Sequence, residues 1–424
     1  MTDDAWAILV AQQAGRTSVH TPFGHWTGLL LRAVGGSPAA FRMAGIVLCV
    51  LAFGWLGSAA SALGAADAAR PGSSRPANVA DRTLAIATTM LGGFAVYGLV
   101  LLTPSYNWMT VCSLAVALAA SAGSVVPARG RLGADAFAAV AGAAVGLGLL
   151  ARWPAGLLVA PAILLLLFAC PRGRPAQRWE RVGMGVLGGA IVLTLHGLLL
   201  QSLADTLADV RLWRNLLEVL GAGHAPRAAI ERYADELIRW WGTDGSPVRR
   251  TLLVALPIGL LAGVLARGGG WRRPLGALVQ FVVPAAALWL LWRGGVLVGG
   301  APPHDRALAA VATVVVPCAL AALLVEVASR GAKALAVRWR VVVFAAVAAF
   351  AAFAAAFGTS RNLPSQLGLT CGPLIGGLGA VALSVSGRSC SWTVRGALVA
   401  LAIALSMRLV TSGRFPYRLA APLA

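Results

Sequence analysis

A chain of 424 residues in which 58% are hydrophobic and only 12% charged is not a soluble domain, since those run about 45–50% apolar and about 25% charged. Its mean hydropathy of +0.79 marks a polytopic membrane protein. The formal net charge of +20 does not signal nucleic acid, because the basic residues sit between apolar runs and not on one soluble face.

The first segment, residues 1–40, opens MTDDAWAILVAQQAGRTSVHTPFGHW. Ala5–Ala14 reads as a helix and Gly15–Ser18 as a turn. Trp26, Leu29, Leu30 and Val34 recur at helical spacing, which predicts an amphipathic segment lying on the membrane. A crossing helix needs roughly 20 apolar residues for a hydrocarbon core of about 30 Å. The runs of that character are Phe41–Ala66, Thr83–Thr103, Asn107–Pro127, Ala134–Leu150, Trp153–Cys170, Val182–Leu203, Thr251–Ala266, Pro274–Trp292, Ala307–Ala328, Val341–Gly358, Leu367–Val385 and Val394–Val410. They do not alternate as barrel strands would. The expected fold is therefore all-α, with about 12 transmembrane helices.

Between the sixth and seventh runs lies a longer polar segment, residues 204–250. Leu203, Leu207, Val210, Trp213, Leu217 and Leu220 form one helical stripe. After a break at Gly221–Pro226, Ile230, Tyr233, Leu237, Trp240 and Trp241 form another. Both predict interfacial helices, and a lid over an outer cavity is compatible with them. The organisation is thus an outer segment 1–40, a transmembrane core 41–203, an outer loop 204–250, further transmembrane helices 251–411 and a short tail 412–424.

Arginines set the orientation. Alternate short loops carry Arg70, Arg75 and Arg82, then Arg129 and Arg131, then Arg172, Arg174, Arg178 and Arg181, and so on to Arg388 and Arg395. The opposite short loops are nearly free of them, holding only Arg152, Arg293, Arg306 and Arg361. Short-loop basic bias marks the cytoplasmic side, so residues 1–40, the TPSYN turn, the Arg152 turn and the 204–250 loop are expected outside the cytoplasmic membrane. Arg dominates over Lys, with Lys333 the sole lysine, beside abundant Ala and Gly. That usage suits a GC-rich bacterial genome.

Cys49, Cys112, Cys170 and Cys318 fall in apolar runs without CxxC spacing, so the cysteines read as small core residues and not as a disulfide frame. There is no signal-peptide pattern and no internal repeat strong enough to argue a two-half transporter. Walker, dinucleotide-glycine and HExxH motifs are absent, which removes support for ATP-driven transport, nucleotide-sugar binding and zincin chemistry.

Four stretches on the expected outer side carry chemistry. Asp3 and Asp4 repel one another, which favours a retained proton or a bound cation and suits a general base; a solvated acidic terminus is the plainer alternative. His20 and His25 bracket HTPFGH. In TPSYNW, Tyr106 and Asn107 can hydrogen-bond a sugar, or serve turn chemistry with Trp108 as an interface anchor. Arg152, in LLARWPAG, breaks the charge bias of its side and can grip a lipid phosphate through two hydrogen bonds or snorkel to the surface. His196 lies inside a run, where a neutral imidazole bonded to a helix carbonyl is the first expectation and function the second. His304 and Asp305 fit solvated turn chemistry, and Glu326 fits pairing with a nearby Arg.

The order of these features resembles the first outer loop of the GT-C glycosyltransferases, most closely family 39 and the bacterial protein O-mannosyltransferase-like members. The matching features are an acidic pair, a helix, a Gly turn, HTPFGHW, a segment ending GGSPAAFR and then a membrane span. The resemblance covers about residues 3–180. In that superfamily the acidic pair follows the first transmembrane helix, so this chain is expected to start where that helix ends.

The resemblance implies a membrane glycosyltransferase that moves a sugar from a polyprenyl-phosphate carrier to an acceptor hydroxyl on a glycan, lipid or protein, outside the cytoplasmic membrane. Asp3 or Asp4 would be the base, with His20 and His25 at the entrance. Arg152, with Arg227 or Arg232, would hold the phosphate. A divalent cation is neither required nor excluded by the sequence, and no nucleic acid is involved. Two alternatives remain, a multi-span transporter or flippase without chemistry and an inactive truncated family member.

Overall fold

The computed structural model describes residues 3–14, 21–68, 79–100, 103–126, 131–169, 175–219, 332–355 and 371–385, with isolated positions between 230 and 289 and between 398 and 402. Among the described residues every regular element is a helix. In chain order these are α1 (Asp3–Gln12), α2 (Phe23–Ala33), α3 (Pro38–Ala68), α4 (Val79–Val100), α5 (Tyr106–Val125), α6 (Arg131–Ala151), α7 (Trp153–Ala169), α8 (Pro175–Leu199), α9 (Leu203–Val219), α10 (Ala332–Ala354) and α11 (Cys371–Val385).

Four helices are long and apolar enough to cross a membrane, spanning Pro38–Ala66, Tyr106–Val125, Arg131–Ala151 and Pro175–Leu199. Trp153–Ala169 and Trp339–Ala354 are apolar but shorter. Helices α4 and α11 also fall where the sequence places spans. The expected spans Thr251–Ala266, Pro274–Trp292, Ala307–Ala328 and Val394–Val410 lie wholly or largely outside the described residues.

Helix α5 is the centre. Its crossing stretch is 94% buried, against 22% for α8. The reason is in its sequence, SLAVALAASAG: Ala, Ser and Gly let neighbouring backbones come close where lipid offers no hydrophobic drive for association. Ser105 caps α5, accepting a bond from the Trp108 amide at 3.5 Å, which satisfies one of the first-turn donors. The Trp108 indole donates to the Gly45 carbonyl at 3.0 Å and so ties α5 to α3.

The closest backbone approach lies between α6 and α8. A Cβ placed on Gly142 would fall on the Gly185 carbonyl oxygen, and one on Gly188 would fall on the Ala139 carbonyl. Backbone cannot yield as a flexible side chain can. Gly142→Val is expected to lower stability by about 1–3 kcal/mol, towards the upper end of overpacking costs, measured by thermal unfolding in detergent. Gly183→Ala, with open space around its Cβ, is the control and is expected to change little.

Both helices run the same way along the bundle. Arg131 at the start of α6 pairs with Glu180 near the start of α8 at 2.7 Å. Arg152 and His196 lie at their opposite ends, so Arg131, Arg178 and Arg181 and the Arg152 turn occupy different ends of the bundle.

In the N-terminal segment the expected membrane-lying stripe and the face packed on the protein are different faces of α2. Helix α2 buries Phe23, Gly24, Thr27, Gly28 and Leu31, whereas Leu29 is exposed and Trp26 and Leu30 are half-buried. The inner face follows Phe23–Thr27–Leu31 because α1 packs there: a Cβ on Gly24 would strike Val10, and one on Gly28 the Ala11 carbonyl. Small residues were needed on that face, and a search for large apolar ones overlooks them. The helix stops at a Schellman motif, with Gly36 N–H donating to the Leu31 carbonyl at 2.9 Å and Gly35 N–H to the Arg32 carbonyl at 3.0 Å. Gly35 and Gly36 have φ of 73° and 74°, where a Cβ would be strained.

Candidate functional site at one end of the bundle

One bundle end collects α1, α2, the 103–105 turn, the α6–α7 junction and Ala355. At the centre is Arg152, the single residue between α6 and α7 and only 4% exposed. It does not snorkel. Its Nη1 donates to the Ala355 carbonyl at 2.7 Å, and its Nη2 donates to Asn107 Oδ1. The guanidinium also lies over the Tyr106 ring, 5.0 Å from the centroid, within cation–π range. A charge buried to this extent is tolerated only when it is held by such partners.

Tyr106 and Asn107 belong to the first turn of α5, just after the Thr103–Ser105 turn. Asn107 is 7% exposed. Above Tyr106 stand two aromatic rings from the N-terminal segment. Trp6 of α1 meets it edge-on at 6.3 Å between centroids, Phe23 of α2 at 5.8 Å, and Trp6 and Phe23 lie 5.6 Å apart. Below it, Thr110, Ser113, Gly148, Gly156 and Ala355 line a cavity of about 20 Å³, room for one water. Arg42 Nε donates to Thr103 Oγ1 at 3.2 Å and fixes the turn against α3.

Asp3 and Asp4 are the first residues of α1, and their side chains lie outside what is described. In register, Asp3 precedes Trp6 by one turn. His20, Arg227, Arg232, His304, Asp305 and Glu326 lie outside the described residues. Among the described residues, no three His, Cys, Asp or Glu side chains gather closely enough to hold a metal ion.

A second cluster occupies the same end. The rings of His25 and His196 meet edge-on at 5.8 Å, and Trp26 stacks on His196 at 6.4 Å and 25°. His25 bonds the Gln201 side chain, which in turn donates to Asp209 Oδ2 at 2.7 Å. The expected bond from His196 to a helix carbonyl is not made: both ring nitrogens are buried without a partner.

No family model, curated protein or solved structure matches this chain. The residues themselves carry the argument.

Burial holds His25 below its usual value of 6.5, with nearby Arg32 adding to the effect and Asp209 and Gln201 opposing it. The fold thus favours the neutral ring. The stability this contributes is present above pH 6.5 and is lost as pH falls through the folded-state value, because the unfolded chain takes the proton first. His25→Phe is expected to flatten that acid-side fall in melting temperature. A fall of unchanged steepness in the variant would show that His25 is not its source.

The sequence missed Trp6 and Phe23 as walls, and Ala355 as the second acceptor for Arg152. Phe23 stood between the two histidines of HTPFGH and was readable there. A backbone carbonyl some two hundred residues from Arg152 leaves no mark in composition or spacing.

Proposed function

We propose that this chain is a membrane glycosyltransferase of the GT-C type, with about 12 spans, that transfers a sugar from a polyprenyl-phosphate carrier to an acceptor hydroxyl at the outer face of the cytoplasmic membrane. What supports this is the convergence of Arg152, Asn107 and Tyr106 beneath the helix that begins with Asp3 and Asp4. Tyr106 and Asn107 are neighbours in the chain and Arg152 lies 45 residues beyond, and the fold brings a buried cation and two sugar-compatible polar side chains to the end of the bundle where α1 begins.

In the mechanism, one carboxylate of the pair takes the proton of the acceptor hydroxyl. That oxygen attacks the anomeric carbon from the face opposite the phosphate, and the bond from the anomeric carbon to the phosphate oxygen breaks with inversion. The electron pair leaves on the phosphate, where the guanidinium of Arg152 offsets the growing charge. A fixed cation in a poorly hydrated site costs no reorganisation at that moment. Asn107 and Tyr106 orient the guanidinium through a hydrogen bond and a ring face.

The test is the double substitution Asp3→Asn with Asp4→Asn in the full-length protein in its native membrane. Unchanged cell-surface glycan would remove the transferase reading, since a transporter tolerates loss of the pair.

A further inference from the structure

His196 is 3% exposed, yet neither of its ring nitrogens has a hydrogen-bond partner, and the indole nitrogen of neighbouring Trp26 is also buried and unbonded. Buried polar atoms in folded proteins are nearly always paired, so three orphans on two stacked rings need an occupant. The donor set says what kind. A neutral imidazole offers one donor and one acceptor, and indole offers a donor only. An anion would leave the imidazole acceptor unmatched, and a metal ion would leave the indole N–H unmatched. Hydroxyl groups both donate and accept, and so can match all three.

His196 stands in the last turn of α8, and the half-buried rings of His25 and Trp26 on α2 lie against it. Phe23, on the same helix, walls the Arg152 cluster. One short helix therefore stands between the Arg152 cluster and the imidazole pair. We propose that His25, Trp26 and His196 form a binding subsite for an uncharged, hydroxyl-bearing ligand. Identifying that ligand as the carbohydrate part of the substrate rests on the transferase reading.

The experiment is thermal unfolding of the intact protein in lauryldimethylamine oxide, whose headgroup is not a sugar, with millimolar glucose-, galactose- and mannose-based di- and trisaccharides. At least one is expected to raise the melting temperature by several degrees. That shift should vanish in His196→Phe, which keeps a ring and removes both nitrogens, while the unliganded variant is at least as stable as the parent. If His196→Phe does not fold, Trp26→Phe supplies the comparison and should weaken the shift. No shift with any saccharide, or an equal shift in the variant, overturns the subsite and leaves buried water as its content. The Asp3→Asn, Asp4→Asn protein separates the two proposals, because it should keep the saccharide shift whether or not transfer survives.

Discussion

Sugar transfer from a polyprenyl-phosphate donor is expected to fall about 10²–10⁴-fold when Asp3 and Asp4 both become Asn, the usual contribution of a positioned general base. Asn keeps the size of Asp and removes the basicity, so the melting temperature should stay within a degree or two of the parent. The helix that carries the pair is anchored independently of it. Ala7, Ile8, Val10 and Ala11 are each at most 2% exposed, and Trp6 is fixed against Phe23 and Tyr106.

Register separates the two acids. Asp3 stands one turn before Trp6 and two turns before Val10 in the register of α1. Asp4 is rotated from it by about 100°, the step of an α-helix. Asp3→Asn alone should therefore account for most of the double loss and Asp4→Asn for less. An equal, small effect from each single change, with full loss only in the double, would instead mean that either acid serves. No loss in the double removes the base from this end of the bundle. The measurement is single-turnover transfer by purified protein in liposomes loaded with donor, alongside thermal unfolding of each variant.

Arg152→Ala is expected to act on both stability and transfer. Asn107 Oδ1 and the Ala355 carbonyl lose their donor in a site where Asn107 is 7% exposed, and each acceptor left unpaired costs about 1–3 kcal/mol. Transfer should fall a further 10²–10³-fold, about the cost of deleting one fixed donor to developing negative charge. Arg152→Lys divides the two effects. A single ammonium keeps the charge but cannot reach Asn107 and Ala355 in the planar geometry of guanidinium while lying on the Tyr106 ring. It should regain much of the stability and little of the transfer. Lys restoring both would make Arg152 only a structural tie between α5, α7 and α10.

Much of the architecture was readable in advance because its cause is local. Apolar runs too long for a strand and too greasy for a soluble helix predict spans, and α3, α5, α6 and α8 have that character. The TPSYN turn predicts that α5 begins just after it, and the GGSPAAFR stretch predicts the end of α2. Arg152 stood out because it broke the charge pattern of its side. What sequence reading did not identify was the inner face of α2. The Trp26–Leu29–Leu30–Val34 stripe was assigned to the membrane surface, and the face Phe23–Thr27–Leu31, which packs on α1, was not singled out. In a tight helix pair it is the absence of side chain, at Gly24 and Gly28, that permits contact.

Composition, hydropathy and turn residues by themselves determined that this protein is helical, membrane-embedded and polar at particular loops, because each of those properties depends on a stretch no longer than one helix. Only the tertiary structure decided that Asn107, Arg152 and Ala355 share one hydrogen-bonded cluster, that Trp6 and Phe23 cover it, and that His196 is buried beside Trp26 with its nitrogens unbonded. Those facts depend on which helix ends meet across the bundle, and that is settled by close packing of small residues whose partners are not neighbours in the chain.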